Sequence, residues 1–398
     1  MTSLTNARLV LPDRVEAGDL HLDGAEIAAA PVPGAAAVDL GGRYVVPGFV
    51  DMHVHGGAGA SYQSGVADDA RRAAAFHLSR GTTTTVASLV TGTPEELRAA
   101  VACLAPLAAE GVVAGVHLEG PYLARARCGA HDPDLLRAPD PAEFAALADL
   151  AGGHLRMITI APELPGALDL VRAAAARGVL AAVGHTEATA ATVRAAFDAG
   201  ARAATHLFNA MRPLHHREGG PVAAALADPR VTVELIGDGM HVAADVAALV
   251  FAAAGADRVA LVTDAMAAAG LGDGDYRLGV MDVAVRGGRA TLAGGTSMAG
   301  STITLADAFR RAVRAGVPLP DAARAASLTP ARALGLDGRI GTLEPGKRAD
   351  LVVLEEDLTV ARVMRGGRWT GPPGLPDLPP APGQDALDLR TGQDVGDN

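Results

Sequence analysis

YVVPGFVDMHVHGG, residues 44–57, carries an apolar run into two histidines one residue apart, followed by glycines. The β-type composition and the glycines after it read as a strand and its end. Strand side chains share a face every second residue, so His53 and His55 point the same way from the strand terminus. Such a pair is either two structural histidines or half of a metal site. What lies on either side of this stretch decides the fold and then the chemistry.

Upstream, NARLVL, GDLHLDG and AEIAA are short alternating pieces broken by Gly, Pro and Asp, and they predict a small antiparallel sheet. Downstream, apolar runs recur at 82–89, 111–118, 155–160, 178–184, 201–205, 231–237 and 258–263. Helix-like segments such as 67–80, 94–110 and 187–200 separate them. Eight strands alternating with helices predict an α/β fold, a (β/α)8 TIM-like barrel. Residues 338–369 return to short strands. The expected division is a small β-sandwich domain from 1–46 plus 338–370, a barrel over 47–337, and a loose Pro-rich tail over 371–398. Residues 272–295 read as a hairpin insertion after the eighth strand.

The 398 residues suit one large barrel with an appendage, and a formal charge of −11 argues against a general binder of nucleic acid or anionic membranes. Two cysteines, Cys103 and Cys128, make no disulfide framework. The first residues lack a basic segment followed by an apolar one, and the longest apolar runs are too short to span a bilayer. A cytoplasmic location is expected.

In a barrel, chemistry sits at the C-terminal ends of the strands. The polar residues there are His53, His55, Glu119, His185, His206, His241 and Asp264. Singly, each is more often a structural residue with a satisfied partner than a ligand. Jointly, His53, His55, Glu119, His185, His206 and Asp264 form an imidazole–carboxylate set converging on one mouth. That set favours Zn²⁺, with Fe²⁺, Mn²⁺ or Co²⁺ as alternatives. Such an ion activates water and polarises a carbonyl, which points to hydrolysis of an amide or related C–N bond.

HLEGPYL (117–123), GAHDP (129–133), GHTEAT (184–189), ATHLFNAM (204–211), DGMHV (238–242), LVTDAM (261–266) and EPGKRADLVVL (344–354) together resemble the N-acetylglucosamine-6-phosphate deacetylase family of the amidohydrolase superfamily. The resemblance covers roughly residues 1–370. It implies removal of the acetyl group from a phosphorylated amino sugar. It places the principal ion on Glu119, His185 and His206, with Glu119 standing where many relatives use a carboxylated lysine. Lys347, the only lysine, lies in the C-terminal piece. Because the His53/His55 pair is retained, two ions are expected over one, with Glu119 bridging and Asp264 reaching the second. Asp264 is implied as general base and then acid, with His131 helping to polarise the carbonyl. Implied substrate contacts are Ala130, His131, Asn209, Ala210, Asp238, His241, Met298, Ala299 and Gly300. Arg217 is implied as a phosphate ligand supplied across a homodimer interface. His77, His117 and His154 are expected to be structural or exposed. Two readings stay open: a related amidohydrolase, for example one acting on N-acetylgalactosamine 6-phosphate, and, remotely, a non-catalytic barrel scaffold.

Overall fold

The structure, a computed structural model, describes residues 1–371, so the tail expected from 371 lies outside the described residues apart from its first position. Eight parallel strands run in chain order: Phe49–Val54, Thr82–Leu89, Gly115–Glu119, Leu155–Ile160, Leu180–Val183, Ala203–Ala204, Thr232–Ile236 and Val259–Val262. A helix follows each one, from Ala67–Ser79 after the first to Leu305–Arg314 after the eighth. Local signals start several of these helices. Thr93 and Glu96 form a capping box, Thr304 and Asp307 another, and Asp140 caps Pro141–Leu150.

The ladder runs from the first strand to the eighth, and side chains help close the remaining seam. Thr263 Oγ1 donates to Asp51 Oδ2 at 2.5 Å, and the Asp264 amide donates to the His53 carbonyl at 2.9 Å. The barrel interior is layered. Val50, Met52, Val86, Met157, Ile236 and Val262 fill one apolar layer, which Leu334 and Ile340 join. A second layer is polar: Ser88 Oγ, His117, Thr159 Oγ1 and Thr205 Oγ1 form one hydrogen-bonded chain with links of 2.8–2.9 Å. His117, expected to be structural, is wholly buried in that chain.

The apolar run through 44–54, read above as a single strand, divides at Gly48. Tyr44–Pro47 belongs to the small sheet and Phe49–Val54 to the barrel. The small sheet has eight strands drawn from both chain ends, with Leu351–Leu354 antiparallel to Tyr44–Pro47. Thr2–Val10 pairs in parallel with Ala36–Asp39 and Tyr44–Pro47, so the sheet is mixed rather than purely antiparallel. Period-two alternation gives each strand two jobs. Val45, Leu351 and Val353 pack in the small domain's own core, while Val46, Val352 and Leu354 join the main cluster around the barrel.

The segment after the eighth strand is three antiparallel strands, Gly274–Leu278, Met281–Arg286 and Arg289–Leu292, rather than a hairpin. Its apolar side packs with Val90, Ala130 and Met266, which brings it to the barrel mouth.

Gly48 is where the chain passes between the two domains, and a Cβ there would sit 2.2 Å from Thr83 Oγ1 and 2.9 Å from Thr83 Cβ. Gly48→Ala is therefore expected to cost about 1–3 kcal/mol through overpacking. Urea denaturation of both proteins checks this, and an unchanged midpoint would refute it.

Candidate metal centre

Glu119 ends the third strand, and its two oxygens serve different neighbours. Oε1 lies 3.0 Å from His185 Nε2 and 2.9 Å from His206 Nε2. Oε2 lies 3.2 Å from His55 Nε2 and 3.5 Å from both His53 Nε2 and His131 Nε2. Asp264 Oδ1 completes the second group at 3.1 Å from His55 Nε2 and 3.5 Å from His53 Nε2. All of these residues are buried. The structure thus brings all six strand-end residues expected as ligands together, with His131 beside them.

Hydrogen bonds behind the rings fix their protonation. His53 Nδ1 donates to Glu234 at 3.0 Å, His55 Nδ1 to the Ser88 carbonyl at 3.2 Å, and His185 Nδ1 to the Arg127 carbonyl at 2.8 Å. A neutral imidazole with its proton on Nδ1 presents a lone pair at Nε2. Yet His53 and His55 approach Nε2 to Nε2 at 3.2 Å, and His185 and His206 at 3.1 Å. Lone pairs and carboxylate oxygens packed this closely repel unless a cation lies among them. The donor set fits a divalent ion of the zinc type.

Where protons stand in for that cation, the same geometry shifts several of these groups. Burial pushes His55 down, but Asp264 and Glu119 outweigh it and raise the ring to about 9. Burial pushes Asp264 up, but His53 and His55 pull it down to about 2. Glu119, opposed by burial, is held well below the usual carboxylate range by His53, His131 and His185.

His131 is built the other way round. The Thr91 amide donates to its Nδ1 at 3.1 Å, so its proton is on Nε2, the atom facing Glu119. The backbone reaches these positions under strain. His185, His206 and Asp264 have φ of 48°, 26° and 49°, in the left-handed region that costs a non-glycine residue about 1–3 kcal/mol.

A cavity of about 370 Å³ opens over the cluster. Ala130, His131, Asn209, Ala210, His241, Met298 and Gly300 line it, with Leu278 from the three-stranded insertion. Asp238 stands behind the wall, where Oδ2 accepts from His241 Nδ1 at 2.7 Å and leaves Nε2 for the cavity. Ala299 is wholly buried and outside the lining. Arg217 lies on an exposed loop outside the lining, with its guanidinium against His216 Nε2 at 2.9 Å. The cation at this chain's own cavity wall is Arg127, which pairs with Glu187. Sequence reading missed Arg127, Thr91 and Glu234. Only Glu234 left a signal, as a lone acid inside the apolar run 231–237.

A parallel barrel with a buried imidazole–carboxylate cluster at the C-terminal ends of its strands defines the class: a metal-dependent barrel hydrolase. Residues 44–370 match the Amidohydrolase family, and the chain belongs to it. It is 38% identical over 376 residues to the N-acetylgalactosamine-6-phosphate deacetylase of Escherichia coli O157:H7, covering 92% of this chain and 99% of the relative. It is 35% identical to the N-acetylglucosamine-6-phosphate deacetylase of Vibrio furnissii, covering 89% and 88% of the two chains. Among solved structures, N-acetyl-D-glucosamine-6-phosphate deacetylase from Mycobacterium smegmatis, in complex with N-acetyl-D-glucosamine-6-phosphate, superposes with a TM-score of 0.89 at 47% identity, covering 92% and 98%.

The raised His55 yields a prediction with a definite sign. Its proton stabilises the ion-free cluster below the ordinary histidine range, and that contribution is lost as pH rises through about 9. An ion must displace this proton. His53 in the same group is also raised well above the ordinary histidine value and must lose its proton as well, so apparent zinc affinity here is expected to rise by at least about tenfold per pH unit up to about pH 9. Calorimetry in buffers of different ionisation enthalpy would show the released proton, and a pH-independent affinity would contradict the assignment.

Proposed function

We propose that the chain is a metal-dependent deacetylase that hydrolyses N-acetylglucosamine 6-phosphate to glucosamine 6-phosphate and acetate. The observation that carries this reading is the meeting of an imidazole–carboxylate cluster, an ionised acid and a neutral imidazole donor at one cavity mouth. Glu119, His185 and His206 would hold the principal ion, and His53, His55 and Asp264 a second, with Zn²⁺ the expected metal. The separate service of Glu119 Oε1 and Oε2 to the two imidazole pairs supports two ions over one. Bound there, the metal supplies Lewis acidity toward the acetyl carbonyl and toward water.

The chain's own groups do the rest. Asp264, held ionised by the neighbouring imidazoles, takes a proton from the attacking water. It then returns that proton to the sugar nitrogen, which leaves poorly as an anion and well as an amine. His131 donates from Nε2 to the carbonyl oxygen, a direction set by the Thr91 amide. His241, held by Asp238, faces the sugar. Asn209 and Ala210 face the phosphate end, and Arg217 completes that end from a second copy of the chain in a homodimer. The exposure of Arg217 outside its own cavity supports that division. Met298 and Gly300 form the opposite wall, with Ala299 packed behind them. The functional division into a β domain of 1–46 plus 338–370 and a catalytic barrel of 47–337 belongs to the same reading, as does action in the cytoplasm. No helix among the described residues is long and apolar enough to cross a membrane.

A second reading, the galacto epimer, is favoured by the 38% identical relative that acts on it. The ratio of kcat/KM for the two epimers separates them, and preference for the free sugar over both phosphates would sink the phosphate assignment. For Asp264→Asn, kcat for acetate release is expected to fall by about 10²–10⁴ with KM little changed. Wild-type turnover in that variant would remove the proton shuttle from the scheme.

A further inference from the structure

Glu234 lies in the seventh strand, is wholly buried, and touches none of the Nε2 atoms that face the cavity. Its Oε2 accepts from His53 Nδ1 at 3.0 Å and from the His206 backbone amide at 3.0 Å. Its Oε1 has no partner among the described residues. A buried acid with one bare oxygen is costly, and an apolar residue would pack in this strand at less expense. Stability therefore does not account for it, and its two hydrogen bonds do.

The four imidazoles expected as ligands differ in what stands behind them. His55 and His185 donate to backbone carbonyls, and His206 Nδ1 is buried without a partner. Of these four, only His53 is backed by a carboxylate; His241, outside the cluster, is held by Asp238. A carboxylate behind a ligating imidazole fixes the ring and makes its far nitrogen a stronger donor. The same oxygen also anchors the strained turn at His206, so one atom ties a residue of each imidazole pair.

We infer that Glu234 is a positioning residue that makes His53 a metal ligand and so sets the affinity of the second ion. The inference rests on the two-ion reading above. The readout is bound zinc, by metal analysis after dialysis and by chelator competition. The proteins compared are wild type, Glu234→Gln, His53→Ala/His55→Ala, and the combined variant. Gln keeps the shape and both acceptor contacts while removing the charge.

The expected result is two ions in wild type, a loss of about 10–100-fold in affinity for one ion in Glu234→Gln, and the other ion unchanged. In the His53→Ala/His55→Ala background, which should hold one ion, adding Glu234→Gln is expected to change nothing. If Glu234→Gln does not fold, Glu234→Asp keeps the charge at shorter reach and is expected to weaken the same single ion. Wild-type affinity for both ions in Glu234→Gln would overturn the role of Glu234 while leaving the two-ion reading intact. Equal weakening of both ions would also overturn it, as general loosening. A single ion in the wild-type protein would overturn the two-ion reading and this inference with it.

Discussion

The Glu119 carboxylate is the constraint around which the site is arranged. One oxygen meets His185 and His206, and the other meets His55, with His53 and His131 slightly farther away. Imidazoles from the first, fifth and sixth strands converge on it, which a closed barrel permits and an open sheet does not. Four rings this close as neutral bases repel unless protons or a cation lie among them, which is the arrangement a divalent ion would satisfy. The left-handed backbone at His185, His206 and Asp264 is held in place by the surrounding barrel.

Beneath the ligands, polar contacts in the barrel do the orienting. Ser88 takes the Nδ1 proton of His55 on its carbonyl and bonds His117 through its hydroxyl, while Glu234 takes that of His53. The loop that covers the site is tied to the same ring set, since the Arg127 carbonyl accepts from His185 and the Ala124 amide donates to the His185 carbonyl. His131 on that loop presents its Nε2 proton toward Glu119, because the Thr91 amide donates to its Nδ1. Ligand orientation and cover-loop position are thus one mechanical unit.

The alternation of apolar runs and helical segments made the barrel legible in the sequence, because parallel strands buried on both faces read as continuous apolar stretches. The strand-end residues were legible for the same reason: a His, Glu or Asp that closes such a run is conspicuous. The division of 44–54 at Gly48 was not, since both halves have the same composition and only the pairing partner distinguishes them. Nor was the parallel pairing of Thr2–Val10, because parallel and antiparallel neighbours look alike over four residues. Thr91 and Arg127 were invisible because each acts through a contact tens of residues away in sequence, one through a backbone amide and the other through a backbone carbonyl. Glu234 could have been found, as the one charged residue in the run 231–237.

On the proposed reading this cluster holds divalent metal, and hydrolysis depends on it. The direct measurement is acetate release from N-acetylglucosamine 6-phosphate by protein stripped with a chelator, then titrated with zinc. Negligible turnover by the stripped protein and recovery as zinc is restored are expected. Undiminished acetate release by protein shown to contain no divalent metal would contradict it.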